Sequence, residues 1–212
     1  MNEQHLTSVD FAGMERFYRA NLINSVSGYK PANLIGSIGP DGVPNLAIFS
    51  SVVHLGANPA LLGFIQRPLT EYSHTYYNII HTGYYTINHV HRSFARQAHH
   101  TSARFEREVS EFDACGLTPW WIEGFPAPFV AESRIRLGMK FVQEVPIALN
   151  GTRLIIGQIE HIFLPAAALD DTGNIALDVV DDVCISGLES WYEARSFDRF
   201  GYVRPEDVPA PH

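Results

Sequence analysis

Hydrophobic and polar positions alternate in short runs along most of this chain, and such alternation predicts β-strands. Six runs fit the pattern: 32–38, 43–55, 60–65, 84–88, 131–142 and 152–163. The run 43–55 is apolar on both of its alternating faces. Because a strand with two apolar faces is usually buried on both sides, we expect one long strand in the middle of a sheet.

Turn signals separate several of these runs. Gly39-Pro40-Asp41-Gly42 follows the first, and Asn150-Gly151 precedes the last, so both predict tight hairpin turns. The segment GSIGPDG is not a phosphate loop, since it matches neither nucleotide-binding glycine fingerprint and is flanked by strand patterns on both sides. In the run 131–142, alternation directs Ile135, Leu137, Met139 and Phe141 inward and Arg134, Arg136 and Lys140 outward.

Helical spacing is confined to a few segments. Apolar residues three and four apart predict one amphipathic packing helix over 8–24, with Phe11, Met14, Tyr18 and Leu22 on its face. Shorter helices are predicted in HTYYNIIHT, which Gly83 ends, and in SFARQAHHTSARF and SEFDACG. Strands with short turns and peripheral helices predict a mainly β fold, in particular a barrel. The aromatic C-terminal tail is expected to pack rather than to lie free.

Composition narrows the class of protein. The chain has 212 residues, 46% of them hydrophobic, which suits one domain with extensions. Its formal charge of −8 argues against nucleic acid or an anionic membrane as the main partner. The two cysteines lie outside any CxxC motif, and neither a signal peptide nor a spanning apolar run is present. We therefore expect a soluble, cytoplasmic protein.

Small hydroxyl residues, an arginine and a helix start fall at the ends of neighbouring elements. Ser50 and Ser51 come late in an apolar strand, Arg67 ends the next, and Thr75 begins a short helix. Such groups are the donors that a phosphate needs. The alternative is structural: the hydroxyls cap turns and Arg67 pairs with Glu71.

Other candidate sites are weaker. The histidines at 74, 81, 89, 91, 99 and 100 follow no metal-binding spacing, so we interpret them as surface or helix-end residues. No GxSxG motif accompanies a nucleophile. Trp120 and Trp121, with Phe125 and Phe129, are interpreted as core or interface packing, although they could instead stack over a planar ligand.

The ordered motifs together resemble the flavin reductase-like family of FMN-binding split barrels, in particular the reductases of two-component monooxygenases. The resemblance is carried by KPANLIGSIGPDGVPNLAIFSS, then NPALLGFIQRP, and most specifically by HTYYNIIHTGYYTIN. It covers nearly the whole chain. It implies one split-barrel domain over 1–212, of Greek-key type, with an N-terminal helical extension (1–28), a C-terminal tail (185–212) and dimerisation.

The resemblance also implies site residues and cofactors. Asn45, Leu46 and Ala47 would lie along the flavin ring, with strand N–H groups aimed at its pyrimidine edge. The ribityl phosphate would be held by Ser50, Ser51, Arg67, His74 and Thr75, while Asn78 would brace the helix. FMN would be the flavin, with FAD possible, and NADH or NADPH the reductant.

Two departures from the family pattern bear on binding. Ser73-His74 replaces a lysine–aspartate pair, which removes one cation for the phosphate, and Gly138 stands where relatives often carry an acidic residue. We therefore expect an NAD(P)H-dependent flavin reductase that supplies reduced flavin or electrons to a partner, such as an oxygenase. The alternatives are an FMN protein that acts on another small molecule or carries electrons, and a non-catalytic interaction module.

Overall fold

A computed structural model describes residues 3–205 and 207. These residues form twelve strands: β1 (Lys30–Pro31), β2 (Asn33–Ile38), β3 (Pro44–Phe49), β4 (Val53–Ala57), β5 (Ala60–Gln66), β6 (Tyr84–His89), β7 (Pro119–Trp120), β8 (Phe129–Val130), β9 (Arg136–Ile147), β10 (Thr152–Phe163), β11 (Val183–Ser186) and β12 (Ser190–Glu193). The helices are α1 (Ser8–Gly13), α2 (Arg16–Val26), α3 (His74–Thr82), α4 (Ala95–His100) and α5 (Glu111–Cys115), with short 3₁₀ turns at Arg92–Phe94 and Ala166–Ala168. The mainly β prediction is confirmed.

Seven strands form one antiparallel sheet in the order β3-β2-β6-β9-β10-β5-β4. Its two edge strands, β3 and β4, are consecutive in the chain and are joined by residues 50–52 alone. Four steps of about 3.8 Å can span at most about 15 Å, so the sheet must curl until its edges approach each other. No ladder joins β3 to β4 in the described part of the chain, and the barrel is therefore split along this line.

Each face of the curled sheet buries its own apolar cluster. One cluster brings together residues from five strands and α3: Ile35, Phe64, Ile79, Tyr85, Ile87, Leu137, Met139 and Ile155. The other lies between β2, β3 and the helices α4 and α5, and includes Leu34, Leu46, Ala98 and Phe112. The alternation predicted over 131–142 is confirmed in part, because Ile135 and Met139 are buried whereas Arg134 and Lys140 are exposed. Arg136, predicted to face outward, is instead half-buried against Trp120, and the strand begins at Arg136 rather than at 131.

The prediction of one long buried strand over 43–55 is wrong. The chain forms β3 and β4 on opposite edges of the sheet, and the two serines between them cross the split. Val53 and Leu55 in β4 are 46% and 42% exposed. The apolar pattern does not reveal this break, because α5 packs against β3 and so buries it without a second neighbouring strand. A strand that is buried by a helix has the same apolar pattern as one in the middle of a sheet.

The single N-terminal helix predicted over 8–24 is also wrong. The helix breaks between Gly13 and Arg16, where the Glu15 carboxylate accepts hydrogen bonds from the amides of Phe17 and Tyr18 and so begins α2. Neither α1 nor α2 has a buried residue. An N-cap carboxylate therefore divides the segment in two, and its apolar residues do not join the core of this chain.

The C-terminal region contributes a small second sheet and then leaves the body. β11 pairs with both β1 and β12, which ties the start and the end of the barrel together. Beyond β12 the expectation that the aromatic tail packs is not met within one chain, since Phe197 is 94% and Tyr202 92% exposed. The predicted tail also includes residues 206 and 208–212, which lie outside the described residues. Across the described residues, no helix combines the length and apolarity needed to cross a membrane.

Candidate functional site

A cavity of about 750 Å³ opens at the split in the barrel. It is bounded by the edge of β3, the linker 50–52, the end of β5, the start of α3 and the segment 101–105. Seven of the eight residues predicted to bind flavin line it: Asn45, Ala47, Ser50, Ser51, Arg67, His74 and Thr75. Residues far apart in the sequence thus meet because the edge strand β3, the linker after it, the end of β5 and the N-terminus of α3 converge on the cavity.

Leu46 is the predicted residue that the structure places elsewhere. Its side chain is fully buried in the cluster beneath α4 and α5. Its backbone N–H donates to Glu111 Oε2 at 2.9 Å. Both its side chain and its amide are therefore committed to the protein, and Leu46 does not line the cavity.

The outer edge of β3 nevertheless offers unpaired backbone groups to the cavity. Leu46 faces away from β2 through its N–H, and antiparallel ladders alternate between residues that face the partner strand and residues that face away. Ile48, two residues further on, therefore directs its N–H and C=O to the same open edge, and it lines the cavity. By the same alternation, Asn45 and Ala47 direct their backbone groups to β2.

The N-terminus of α3 supplies donors at the other side. Backbone N–H groups in the first helical turn have no partner within the helix. The Thr75 side chain accepts from Asn45 Nδ2 at 2.9 Å, which leaves its hydroxyl hydrogen free to donate. Gly83, in the left-handed conformation with φ 75°, ends the helix as predicted.

The two serines of the linker have different roles. Ser51 Oγ accepts from the Ile65 N–H at 3.0 Å and lies 3.4 Å from the Ile65 carbonyl oxygen, so it ties the linker to β5. Ser50 also lines the cavity, and its hydroxyl makes no hydrogen bond within the described residues. Ser51 is thus a structural bridge across the split, and Ser50 is the hydroxyl available to a ligand.

Three basic side chains line the cavity: Lys30, Arg67 and Arg104. The expected alternative for Arg67, a pair with Glu71, is not present: within the described residues neither Arg67 nor Arg104 forms an ion pair. The Arg104 guanidinium lies 5.7 Å from the centroid of the Tyr72 ring, and both residues line the cavity. Sequence reasoning missed Arg104, since the irregular segment around it carries no periodic signal.

His74 is a different kind of group. Its ring is buried at the start of α3, and burial, together with the positive charge of Arg107, lowers the pKa of His74 below its usual value of 6.5. A neutral imidazole donates or accepts hydrogen bonds but adds no charge. The positive charge that lines the cavity therefore comes from Lys30, Arg67 and Arg104 rather than from His74.

Glu111, which also lines the cavity, is a buried carboxyl that the sequence analysis did not single out. It is the first residue of α5, and burial raises the pKa of Glu111 above its usual value despite the hydrogen bond from Leu46. Its only sequence signal is its place as the second residue of SEFDACG, where a short helix is predicted.

The remaining candidates lie outside the cavity or serve the fold. Trp120 packs against Phe129 and Phe163, with Arg136 4.2 Å from its ring centroid. Neither Trp120 nor Trp121 lines the cavity. A side chain at Gly138 would crowd His161 and Phe125, which explains the glycine there. Among the described residues, no three His, Cys, Asp or Glu side chains are grouped to hold a metal ion.

Comparison with known families identifies the fold and the class of site. The family model described as "Flavin reductase like domain" matches residues 29–178, which include β1 to β10 and every cavity residue from the central strands. The chain belongs to this flavin reductase-like family. The match places the chain among flavin-related oxidoreductases, and its segment begins just after α2 and ends before β11.

Solved structures support the family fold. A split-barrel-domain protein from Shewanella frigidimarina NCIMB 400, provisionally named a flavin reductase, is 45% identical, with a TM-score of 0.91 and coverage of 95% of this chain and 100% of that one. Nitrilotriacetate monooxygenase component B from Bacillus cereus is 18% identical, with a TM-score of 0.82 and coverage of 93% and 100%. A 2-nitrobenzoate 2-nitroreductase from Pseudomonas fluorescens is 19% identical, with a TM-score of 0.78 and coverage of 98% and 99%. The split-barrel prediction is confirmed.

Proposed function

We propose that this flavin reductase-like protein binds FMN in the cavity at the split and uses NADH or NADPH to reduce it. One observation carries the proposal: the same cavity has one end lined by arginines, hydroxyls and a helix N-terminus, and also an open strand edge. The first end suits the ribityl phosphate, and the second suits the flavin ring. FAD is a second possible flavin, because it carries the same ring and ribityl phosphate as FMN.

The phosphate end fits its ligand by charge and by hydrogen bonding. Arg67 and Arg104 approach from β5 and from the segment after α4, and neither is neutralised by a carboxylate within the described residues. The Ser50 and Thr75 hydroxyls and the first turn of α3 add uncharged donors. Arg104 thereby replaces the cation that the family pattern usually places before the threonine.

The ring end is served by the edge of β3. Flavin supplies the hydride and electron chemistry, and the protein supplies binding, orientation and electrostatics. The Ile48 N–H is the strand donor available to the pyrimidine edge, in place of the Asn45–Ala47 amides predicted from sequence. A preorganised donor there would stabilise negative charge on the reduced ring.

Partners belong to the same proposal. The Bacillus cereus relative is named as a monooxygenase component, which supports delivery of reduced flavin or electrons to an oxygenase. We also propose a homodimer, because large apolar side chains of α2 and of the tail remain exposed in one chain.

A second candidate function is supported by the nitroreductase relative: an FMN-bound protein that acts on another small molecule. Electron carriage without nicotinamide turnover belongs to the same alternative. The uncommitted donors around the cavity argue against a purely non-catalytic interaction module.

An absorbance titration tests the proposal directly. The purified full chain is titrated with FMN, and the flavin bands are then followed under anaerobic conditions as NADH or NADPH is added. We expect saturable FMN binding and rapid bleaching by one of the two nicotinamides. Binding without bleaching by either would favour the second candidate function, and no binding of FMN or FAD would refute a flavin site in this cavity.

A further inference from the structure

A chain of five polar side chains runs from the cavity to Arg107, which does not itself line the cavity. Thr75 Oγ1 accepts from Asn45 Nδ2 at 2.9 Å, and the same amide nitrogen lies 3.3 Å from Ser37 Oγ. Asn78 Nδ2 donates to Ser37 Oγ at 3.2 Å. Arg107 Nη2 donates to Asn78 Oδ1 at 2.9 Å, which completes the chain.

The members of this network join three elements that must be in register for the site to form. Ser37 lies in β2, Asn45 in β3, and Thr75 and Asn78 in α3. All four side chains are at least nine-tenths buried. A buried amide or hydroxyl that lacks a hydrogen-bond partner destabilises the folded state. The network therefore favours the arrangement in which the N-terminus of α3 packs against the sheet.

Arg107 anchors the network to the turn between β2 and β3. Its Nε donates to Asp41 Oδ2 at 2.7 Å in the Gly39–Gly42 turn. A guanidinium carries only donors, so its contact with Asn78 requires the amide oxygen of Asn78 to face it. The amide nitrogen of Asn78 is then directed to Ser37, as observed.

The absence of a side chain at Gly39 is a second observation that supports the contact between Arg107 and Asn78. A Cβ atom at residue 39 would overlap the Arg107 guanidinium and lie 2.6 Å from Asn78 Oδ1. Gly39 does not have a positive φ, so an alanine is compatible with its backbone. The absence of a side chain therefore provides space for the Arg107–Asn78 contact.

We propose that Arg107 is a positioning residue for the phosphate end of the cavity. Through Asn78, Ser37 and Asn45 it fixes where the Thr75 hydroxyl and the first turn of α3 meet the ligand phosphate. The inference rests on the proposed flavin function and concerns only the phosphate half of the ligand. It predicts that the loss of Arg107 affects FMN and spares riboflavin, which has the same ring but lacks the phosphate.

The test compares FMN and riboflavin affinity in Arg107→Ala, Gly39→Ala and a matched control, Arg92→Ala, which removes an exposed arginine paired with Glu193 away from the cavity. We expect the first two variants to lose about tenfold in FMN affinity with riboflavin affinity changed less than about twofold. The control should bind both flavins as the unmodified chain does. Arg107→Lys should recover only part of the loss, because an ammonium cannot reproduce the fork between Asp41 and Asn78.

The outcomes separate this inference from the proposed function. Unmodified protein that binds neither flavin would refute both. Unmodified protein that prefers FMN, with an unchanged preference in Arg107→Ala, would refute the role of Arg107 alone. An equal loss of FMN and riboflavin affinity would show a general structural effect and would also refute it. If Arg107→Ala does not fold, Gly39→Ala, which retains the arginine, decides the question by the same ratio.

Discussion

At the scale of single residues, the two arginines of the cavity differ in how easily the sequence reveals them. Arg67 ends a predicted strand, so its place at a sheet edge follows from local pattern. Arg104 lies in an irregular segment and reaches the cavity only through the tertiary fold. Their common property is the absence of an ion-pair partner within the described residues, which leaves both available to an anion.

We expect Arg67→Ala to weaken FMN binding by about 1.5–3 kcal/mol, the usual range for a charge-assisted contact. Arg104→Ala should also weaken FMN binding, because Arg104 lines the same cavity and is exposed like Arg67. Both losses should shrink at high salt, because the missing contacts are electrostatic. Fluorescence titration at two ionic strengths measures them. Unchanged FMN affinity in a folded Arg67→Ala protein would remove Arg67 from the site.

Glu111 predicts a pH effect on stability. Burial raises the pKa of Glu111 in the folded chain above its usual value of 4.5. The folded state therefore holds this proton more tightly, and the stabilisation that it gives is present below pH 4.5 and lost as pH rises through the folded pKa. Glu111→Gln keeps an oxygen that can accept from the Leu46 N–H and has no charge to desolvate.

The free energy of unfolding of Glu111→Gln should therefore exceed that of the unmodified chain increasingly as pH rises, and then level off. Glu111→Ala leaves the Leu46 N–H unpaired, so it should be less stable than Glu111→Gln by about 1–3 kcal/mol at every pH. Urea unfolding from acidic to neutral pH measures both effects. A constant difference between Glu111→Gln and the unmodified chain across this range would contradict the predicted proton linkage.

At the scale of elements, local patterns predicted most strands well. The cores of β2, β5, β6 and β10 lie where alternation placed them, and the turns at Gly39–Gly42 and Asn150-Gly151 join the strands that flank them. These strands and turns depend on residues that are close in sequence, and so local sequence patterns can predict them. The break between β3 and β4 was missed because Ser50 and Ser51 interrupt an apolar run without a glycine or a proline to signal it.

Contacts between distant segments explain what remained hidden in the site. The Leu46–Glu111 hydrogen bond joins residues 65 positions apart, and Asn78 meets Arg107 across 29 positions. Neither pair has a local signature. Seven predicted residues did converge on the cavity, because the family motifs encode the strand ends that surround it. Leu46 did not, since its position relative to the sheet edge depends on where α5 packs.

The contact between β6 and β10 gives a prediction at this scale. A side chain at Gly157 in β10 would overlap the hydroxyl of Tyr85 in β6, and the Tyr85 hydroxyl is buried with no hydrogen-bond partner. Gly157→Ala should therefore destabilise the fold by about 1–3 kcal/mol through overpacking. Tyr85→Phe should be neutral or stabilising, because it removes an unpaired buried hydroxyl.

The double variant Gly157→Ala/Tyr85→Phe should be more stable than Gly157→Ala, since the clash is centred on the hydroxyl oxygen. Chemical unfolding of all four proteins gives the coupling free energy. Additive effects would show that Gly157 is required for its backbone rather than for the space occupied by Tyr85.

At the scale of the whole molecule, the charge distribution bears on the ligand and the exposed apolar surface bears on a protein partner. The formal charge of −8 disfavours anionic partners in general, so the arginines at the cavity provide a local exception suited to a nucleotide. Apart from Leu149, the most exposed large apolar side chains of the described residues lie in the N-terminal region and the C-terminal tail. Phe17 and Val26 in α2 are 70% and 74% exposed, and Phe197 and Phe200 in the tail are 94% and 75% exposed. Such exposure is typical of a surface that a partner covers.

If the partner is a second copy of this chain, the tail should control assembly without controlling the fold. We expect the triple variant Phe197→Ser, Phe200→Ser and Tyr202→Ser to shift the protein from dimer to monomer in sedimentation velocity at micromolar concentration. Far-UV circular dichroism should not change, because these side chains lie outside the apolar clusters of the barrel. The matched control is Leu149→Ser in the exposed β9–β10 turn, where a 98% exposed apolar residue lies outside both apolar regions, and it should remain dimeric. An unmodified chain that sediments as a monomer would refute the homodimer. A triple variant that is as dimeric as the control would refute the role of the tail in dimerisation.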